Sequence, residues 1–209
     1  MLSALIFDLD MTLIDSLEAC TVGANLLARK FGLPEKTESD VIKAITLPTK
    51  EFWAELWGDF REEWQIFFRD TVLAEVFHYT RLFPEAEDIL RSAKSKGLLL
   101  ASATNRSNPW HDLAALDIAK YFDTVVGASD VPRPKPEPDM IMAVLRQLGV
   151  EAQSAIYVGD SPIDMACAAG AGVRALGLAQ GGSSPESLHQ AGAAVVRPSL
   201  ADSRDVLGC

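Results

Sequence analysis

Short apolar runs recur along the chain, and most of them end at polar residues. Runs that are apolar on both faces are typical of central strands in a parallel sheet covered by helices. Segments with a helical spacing of apolar residues lie between these runs, and this alternation predicts a doubly wound α/β domain with a Rossmann-like parallel sheet. The predicted strands are residues 5–7, 98–101, 124–126, 155–158, 173–178 and 193–196, and the predicted helices are residues 84–96, 109–119, 139–148, 164–169 and 185–191.

One stretch, residues 16–81, contains no convincing strand. Its apolar residues recur at helical spacing, and three of the four tryptophans fall within it. Aromatic residues at this spacing are more often core residues than ligand contacts, so we interpret them as the core of a helical domain. The sequence therefore predicts an α/β core domain at residues 1–15 and 82–209, with an all-helical domain at residues 16–81 inserted after the first strand.

The formal net charge of −10 over 209 residues disfavours nucleic acid and anionic membranes as partners. No apolar run reaches the length of a membrane span, and Asp8 and Asp10 interrupt the apolar stretch that a secretory signal would need. The three cysteines, Cys20, Cys167 and Cys209, are widely spaced, as is usual for thiols in a reducing compartment. We therefore expect a cytoplasmic protein that binds neither nucleic acid nor a membrane.

Polar side chains follow four of the predicted strands, at the point where each strand ends. In open α/β sheets, ligands bind beyond the carboxyl ends of the strands. One polar strand end would mean little because loops are generally polar, but four are harder to explain by loop composition alone. The residues are Asp8, Asp10 and Thr12 after the first strand, Thr104 and Asn105 after the second, Lys135 beyond the third, and Asp160, Ser161 and Asp164 after the fourth.

Carboxylates that converge on one point repel each other, so such a site requires a cation, and oxygen-only ligands favour Mg²⁺. Lys135 adds a positive charge and Thr104 adds a hydroxyl donor. Together with a metal, these are the groups that phosphoryl transfer uses, although the sequence has no P-loop motif. Each motif alone also has a structural explanation: Asp-x-Asp suits a turn, and Ser161 followed by Pro162 suits a helix start.

The segment Phe7-Asp8-Leu9-Asp10-Met11-Thr12-Leu13 resembles the Asp-x-Asp-x-Thr motif of the haloacid dehalogenase superfamily. Thr104-Asn105 resembles the second motif of that family, and Lys135 within Lys-Pro-Glu-Pro resembles the third. Gly159-Asp160-Ser161-Pro162-Ile163-Asp164 resembles the fourth motif. The order of the motifs and the pattern of strands and helices match over essentially the whole chain.

Two further features narrow the resemblance. The helical insertion directly after the first motif resembles the α-helical cap of the family. Asp15-Ser16, together with Gly181-Gly182-Ser183-Ser184 and Ala191-Gly192-Ala193, resembles the phosphoglycolate phosphatase-like group. The resemblance therefore implies a phosphatase whose substrate preference resides in the cap.

The resemblance implies a role for each matched residue. Asp8 would attack phosphorus and form an aspartyl phosphate. Asp10 would be the general acid and base, and its backbone carbonyl would help to bind Mg²⁺. The remaining implied roles are ordering of the loop by Thr12, phosphoryl binding by Thr104, Asn105 and Lys135, charge balance by Lys135, and metal binding by Asp8, Asp160 and Asp164.

Two positions depart from the pattern of the family. Met11 stands where the family usually has glycine, so it must adopt a negative φ or accept strain, and its side chain is a candidate contact with substrate. Ile45-Thr46-Leu47-Pro48 resembles the specificity loop of related caps, with Thr46 at a usual glycine. Nearby, Lys50 is either a cation for an anionic leaving group or a solvated lysine at a helix start.

The predicted function is Mg²⁺-dependent hydrolysis of a small phosphate monoester by a monomer or homodimer. The dehalogenase and phosphonatase branches of the family lack the second aspartate, so Asp10 argues against them. A sugar phosphomutase and a pyrophosphatase share the same core chemistry and stay open as alternatives. A non-enzymatic binding module is disfavoured because the polar groups of the core motifs are all present.

Overall fold

The computed structural model describes residues 2–106 and 108–208; Met1, Ser107 and Cys209 lie outside the described residues. The chain divides into two compact units. The α/β unit comprises Met1–Ile14 and Leu82–Cys209, and the helical unit comprises Asp15–Arg81. The helical unit is therefore one continuous insertion into the α/β unit.

Six of the eight strands among the described residues form a parallel sheet in the α/β unit. The strands are β1 (Ala4–Phe7), β2 (Ile14–Asp15), β3 (Arg81–Leu82), β4 (Leu99–Ala103), β5 (Thr124–Val126), β6 (Ala155–Gly159), β7 (Arg174–Leu178) and β8 (Val195–Arg197). The sheet order is β5-β4-β1-β6-β7-β8, and each neighbouring pair is parallel. The chain builds the sheet first to one side of β1 and then to the other, so the predicted doubly wound topology is confirmed.

Helices cover both faces of this sheet. Alternate residues of β1 point to opposite faces: Leu5 lies in a buried apolar cluster with Ile89 and Leu113, whereas Ile6 lies in a second cluster with Val144.

The α-helices of the two units, in chain order, are α1 (Leu17–Phe31), α2 (Glu38–Ala44), α3 (Thr49–Trp57), α4 (Glu62–Phe67), α5 (Leu73–Val76), α6 (Ala86–Ser95), α7 (Pro109–Ala115), α8 (Asp139–Leu148), α9 (Pro162–Gly170), α10 (Pro185–Gln190) and α11 (Arg204–Leu207). Within the described part of the chain, none of them has both the length and the apolar character needed to cross a membrane.

Most element boundaries lie within two residues of the predicted ones, with two exceptions. The helix predicted over residues 109–119 ends at Ala115, because Asp117 adopts a left-handed φ of 56°. A short 3₁₀ turn, Ala119–Tyr121, follows it. The prediction that residues up to 81 form no strand is wrong at its last position, because Arg81 begins β3, which pairs with β2. Two residues are too few to show a strand-like alternation.

Aromatic residues form much of the core of the helical unit. Trp53 and Trp64 are almost fully buried and share an apolar cluster with Leu27 of α1. The rings of Trp53 and Trp57 stack with centroids 5.7 Å apart, and those of Trp57 and Trp64 meet edge to face at 5.8 Å. The tryptophans at helical spacing are therefore core residues, as predicted.

Candidate active site

The carboxyl ends of β1, β4 and β6 lie side by side where the strand order reverses. Phe7, the last residue of β1, pairs with Ser102 of β4 and with Val158 of β6. The next residue, Asp8, continues this ladder because its backbone N–H donates to the Val158 carbonyl at 2.9 Å. Residues that follow these three strands therefore share one edge of the sheet, which is where open α/β sheets bind ligands.

A buried network of ion pairs lies at this edge and centres on Lys135. The Lys135 Nζ donates to Oδ1 of Asp8 at 2.7 Å and to Oδ1 of Asp164 at 2.7 Å. The side chains of Lys135 and Asp164 are only 3% and 1% exposed. Charges buried to this degree persist only when they are paired and hydrogen-bonded. Lys135 therefore neutralises part of the negative charge that the two aspartates bring to the site.

Tyr157 belongs to the same network, although sequence reasoning missed it. The Lys135 Nζ donates to the Tyr157 hydroxyl at 3.0 Å. That hydroxyl lies 3.0 Å from the Ala103 carbonyl oxygen and 3.0 Å from Asp164 Oδ1, and it can donate its single proton to one of them. The available signal was a phenol in an otherwise apolar buried strand, because a buried tyrosine hydroxyl usually requires a hydrogen-bond partner.

Three carboxylates converge beside Lys135. Asp8, Asp160 and Asp164 are buried, and each places one oxygen within 4.8 Å of the others. The Thr12 hydroxyl donates to Asp160 Oδ1 at 3.2 Å, so Thr12 ties the loop after β1 to the loop after β6. Gly181 keeps space beside Asp160, because a Cβ atom at Gly181 would overlap Asp160 Oδ2.

The electrostatics of this triplet show a deficit of positive charge. Burial raises the pKa of Asp8 to about 7 from an ordinary 3.8, against the opposing effect of Lys135. Burial, together with Asp164 and Asp8, also holds the pKa of Asp160 well above its usual range. Burial lowers the pKa of Lys135, but the two neighbouring aspartates outweigh it and the net shift is upward. A set of oxygen donors with too little cationic charge fits a divalent metal ion.

Asp164 has a structural role that limits its part in metal binding. Its Oδ2 accepts from the Ser161 hydroxyl at 2.6 Å and from the Ser161 N–H at 3.1 Å, which forms the capping box of α9. Lys135 donates to Oδ1, and the Tyr157 hydroxyl takes a second site there when it donates to Asp164 rather than to the Ala103 carbonyl. Asp8 and Asp160 are therefore the members of the triplet with the greater capacity for a direct metal bond.

Asn105 and Thr104 support the site from the loop after β4. The Asn105 Oδ1 accepts from the Lys135 backbone N–H at 3.2 Å, and its Nδ2 donates to the Lys135 carbonyl at 3.4 Å. Asn105 therefore fixes the backbone that carries Lys135. The Thr104 side chain is buried. The backbone N–H of Thr104 donates to the Val126 carbonyl oxygen at 3.1 Å and so extends the hydrogen-bond ladder between β4 and β5.

The Asp10 side chain is not part of the triplet and instead forms an ion pair with Arg106. The Arg106 Nε donates to Asp10 Oδ2 at 2.9 Å and its Nη2 donates to Asp10 Oδ1 at 2.6 Å. Arg106 also donates from Nη1 to Asp112 Oδ2 at 2.8 Å. Sequence reasoning missed Arg106, because a single arginine 96 residues from its partner produces no spacing signal.

Met11 adopts a left-handed φ of 52°, so the second of the two predicted outcomes, backbone strain, is the one observed. Its side chain is buried. The Gln180 side-chain amide donates to the carbonyl oxygens of Met11 and Thr12. Gln180 follows β7 and was also missed from the sequence, since the bond joins residues 169 positions apart.

Thr46 and Lys50 both belong to the helical unit. Thr46 is half-buried in the turn after α2. Lys50 lies in the first turn of α3, and it is exposed with its Nζ 5.5 Å from the centroid of the Phe60 ring. Their contact with substrate stays a prediction.

Comparison with known proteins shows the family to which this chain is similar. Residues 5–178 match the haloacid dehalogenase-like hydrolase family. The chain is 31% identical to the phosphoglycolate phosphatase of Escherichia coli K12 over 97% of this chain and 91% of that protein. A predicted phosphatase from Clostridium acetobutylicum has a similar structure, with a TM-score of 0.87, 27% identity and coverage of 100% of both chains. A putative β-phosphoglucomutase from Thermotoga maritima has a TM-score of 0.75 at 25% identity, with 94% of each chain covered.

Proposed function

Because this chain belongs to the haloacid dehalogenase-like hydrolases and is a phosphatase of that family, we propose that it hydrolyses a small phosphate monoester through a phosphorylated Asp8, with Mg²⁺ as its cofactor. The observation that carries the proposal is the position of Lys135, which bridges Asp8 and Asp164 at 2.7 Å each beside Asp160. The proximity of these carboxylates to the lysine cation supports the proposal, because phosphoryl transfer requires a nucleophile, a cation and metal ligands in one site.

The proposed metal ligands are carboxylate oxygens of Asp8 and Asp160, with the backbone carbonyl of Asp10. Asp164 would act through a bound water, because its own oxygens are engaged by Ser161, Lys135 and Tyr157. A bound Mg²⁺ supplies positive charge for the phosphoryl oxygens and for the crowded carboxylates. We propose Mg²⁺ over other divalent ions because all the ligands are oxygens and few protein groups are available.

In the proposed first step, an Asp8 oxygen attacks phosphorus. The new Asp8–phosphorus bond forms as the bond from phosphorus to the ester oxygen breaks, and Asp10, which must be protonated at this stage, gives its proton to the departing oxygen. Lys135 donates to Asp8 Oδ1, which leaves Oδ2 as the oxygen for attack. Thr104 and the backbone N–H of Asn105 would hold phosphoryl oxygens, since they follow the strand next to β1.

In the proposed second step, Asp10 removes a proton from water as the water attacks phosphorus. The Asp8–phosphorus bond breaks, which releases inorganic phosphate and restores Asp8. Positioned acid and base groups typically contribute about 10²–10⁴-fold to such rates. Asp10 lies two residues after Asp8, so it follows the same strand and is available for both steps.

We propose 2-phosphoglycolate as the first candidate substrate, because this is the substrate class named for the relative from Escherichia coli. The helical unit would set the preference among phosphate esters, and the residues to vary first are Thr46 and Lys50 in that unit and Met11 in the α/β unit. We further propose a cytoplasmic enzyme that acts as a monomer or homodimer.

The test is a panel of phosphate monoesters that includes 2-phosphoglycolate, sugar phosphates and 4-nitrophenyl phosphate, with pyrophosphate added, assayed with Mg²⁺ and after EDTA treatment. We expect Mg²⁺-dependent release of phosphate from a small monoester, and no release by Asp8→Asn. Preferential hydrolysis of pyrophosphate, or activity that persists in EDTA, would contradict the proposal.

A sugar phosphomutase is the second candidate, favoured by the structural likeness to the putative β-phosphoglucomutase. A mutase returns the phosphoryl group to a second hydroxyl of the sugar, whereas a phosphatase transfers it to water. Incubation with a hexose phosphate, followed by separation of the products, distinguishes them. Isomerised hexose phosphate without free phosphate would favour the mutase.

A further inference from the structure

We propose that Arg106 is a positioning residue that orients the Asp10 carboxylate for proton transfer, and that Asp112 fixes the Arg106 guanidinium from the opposite side. The inference rests on the proposed role of Asp10 as acid and base. It adds two residues to the proposed mechanism that no motif of the sequence indicates.

Arg106 and Asp10 form a bidentate ion pair, which we call the fork. Nε and Nη2 of Arg106 donate to the two different oxygens of Asp10, at 2.9 and 2.6 Å. Two parallel hydrogen bonds fix the rotation of the carboxylate as well as its distance, which a single bond does not do.

Arg106 is itself held in place by its surroundings. Its third donor, Nη1, donates to Asp112 Oδ2 at 2.8 Å, and the two side chains are only 19% and 15% exposed. Asp112 lies on α7, so the fork is tied to a regular element. The Arg106 carbonyl accepts from the Ala128 N–H at 3.0 Å, and a Cβ atom at the adjacent Gly127 would come within 2.6 Å of that carbonyl.

Arg106 cannot replace Asp10 as the proton donor, because a guanidinium keeps its proton at any working pH. Its effect on the reaction must therefore pass through Asp10. Lysine at this position would keep the charge but lose the fork, since an ammonium is a point charge without a fixed plane. Arg106→Lys therefore separates orientation from electrostatics.

The experiment compares two substrates with the full-length enzyme and Mg²⁺. An alkyl phosphate needs protonation of its leaving oxygen, whereas 4-nitrophenyl phosphate has a leaving group that departs without it. We expect Arg106→Ala to lower kcat for the alkyl phosphate by about 10²-fold, the cost of a misplacement of about 1 Å. The initial burst of 4-nitrophenol should persist, and KM should stay nearly unchanged. Arg106→Lys should lower kcat in the same direction by a smaller factor, and so should Asp112→Asn.

A double-mutant cycle tests whether the effect passes through Asp10. In an Asp10→Asn background, Arg106→Ala should cause little further loss, because residues that act as a unit are not additive. The matched control is Arg69→Lys, which alters a comparable bidentate pair with Asp70 on an exposed part of the helical unit and should leave kcat unchanged. Thermal melting of each variant confirms that it is folded.

Three results would overturn the inference: loss of the 4-nitrophenol burst along with turnover of the alkyl phosphate, a rise in KM with unchanged kcat, or full additivity with Asp10→Asn. These are distinct from failure of the proposed function. If Asp10→Asn itself retains full activity on the alkyl phosphate, the proposed role of Asp10 is wrong. If Asp10→Asn is impaired while the Arg106 variants are not, only the role of Arg106 is wrong.

Discussion

The side-chain amide of Gln180 donates hydrogen bonds to the carbonyl oxygen of Met11 at 2.9 Å and to that of the next residue, Thr12, at 3.0 Å. Its own Oε1 accepts from the Leu200 N–H at 2.8 Å. Met11 has a φ of 52°, a conformation that costs a residue with a Cβ atom about 1–2 kcal/mol. Gln180 therefore stabilises two carbonyls at the strained turn of the loop that carries Asp8 and Asp10.

We expect Gln180→Ala to lower the free energy of unfolding by about 1–3 kcal/mol, because buried carbonyls lose their donor. In a Met11→Gly background the loss should be smaller, since glycine adopts a positive φ readily and the turn needs less support. Urea denaturation of the four proteins in this cycle measures the difference, and Gln190→Ala on the exposed end of α10 is the control. Equal losses in both backgrounds would show that Gln180 does not support the Met11 conformation.

The positions of the sheet and of most motif residues could be predicted because they depend on local patterns. An apolar run that ends at Asp8 or Asp160 marks a strand end, and parallel topology brings such ends to one edge. The structure indeed brings Asp8, Asp160 and Asp164 together around Lys135.

The residues that sequence reasoning missed depend on contacts between distant parts of the chain. Arg106 meets Asp10 across 96 residues, Gln180 meets Met11 across 169, and Tyr157 joins Lys135 through its hydroxyl. Neither helical nor strand periodicity distinguishes these side chains from their neighbours in the sequence. Their partners are fixed by the way loops pack at the sheet edge, which composition and spacing do not encode.

We expect the apparent affinity for Mg²⁺ to weaken as the pH falls below about 7. Burial raises the pKa of Asp8 to about 7, so the folded, metal-free protein keeps a proton on Asp8 that the unfolded chain, with an ordinary value of 3.8, has lost. The folded state therefore binds more protons, and the unfolding free energy contributed by this group falls as the pH rises from about 4 to about 7.

A bound Mg²⁺ must displace the proton from Asp8. The affinity for Mg²⁺ should therefore rise by up to about tenfold per pH unit for each proton released.

The measurement is the increase in Tm caused by a fixed Mg²⁺ concentration at several pH values between 5.5 and 8 (a range set about the value of 7 for Asp8). The increase should grow with pH in the unmodified protein. Asp8→Asn has no carboxylate to titrate, so its dependence on pH should be weaker. A metal-induced shift in Tm that is the same at every pH would contradict this account of the triplet.

Tyr157→Phe should lower the free energy of unfolding by about 1–3 kcal/mol. The substitution removes the hydroxyl that lies between Lys135 and the Ala103 carbonyl, so these buried polar groups keep fewer hydrogen-bond partners. Tyr121→Phe is a matched control, since the Tyr121 hydroxyl donates to Glu87 at 2.8 Å in a less buried setting, where a loss of about 0.5 kcal/mol or less is expected. Chemical denaturation measures both variants. Equal effects would mean that the buried network does not depend on the phenol.

The final prediction separates Asp8 from Asp10. Asp8 lies against Lys135 and in the carboxylate triplet, whereas the Asp10 side chain lies against Arg106, so the two aspartates have different surroundings and different expected roles. Asp8→Asn should abolish turnover of every substrate, because the nucleophile is lost. Asp10→Asn should still allow 4-nitrophenyl phosphate to phosphorylate Asp8, but hydrolysis of the aspartyl phosphate lacks its base and should slow by about 10²–10⁴-fold.

Rapid mixing of Asp10→Asn with 4-nitrophenyl phosphate should therefore give a burst of 4-nitrophenol approaching one equivalent per site, whereas an alkyl phosphate should give none because its leaving oxygen is not protonated. Mass spectrometry of the acid-quenched protein should place the added phosphoryl group on Asp8. Asp117→Asn is the control, since this aspartate is 90% exposed and asparagine tolerates its left-handed φ of 56°. Among the described residues, Asp8 is the carboxylate of the triplet that both contacts Lys135 and keeps its second oxygen available, since that oxygen of Asp164 accepts from Ser161. A phosphoryl group on any other residue, or turnover retained by Asp8→Asn, would rule out Asp8 as the nucleophile.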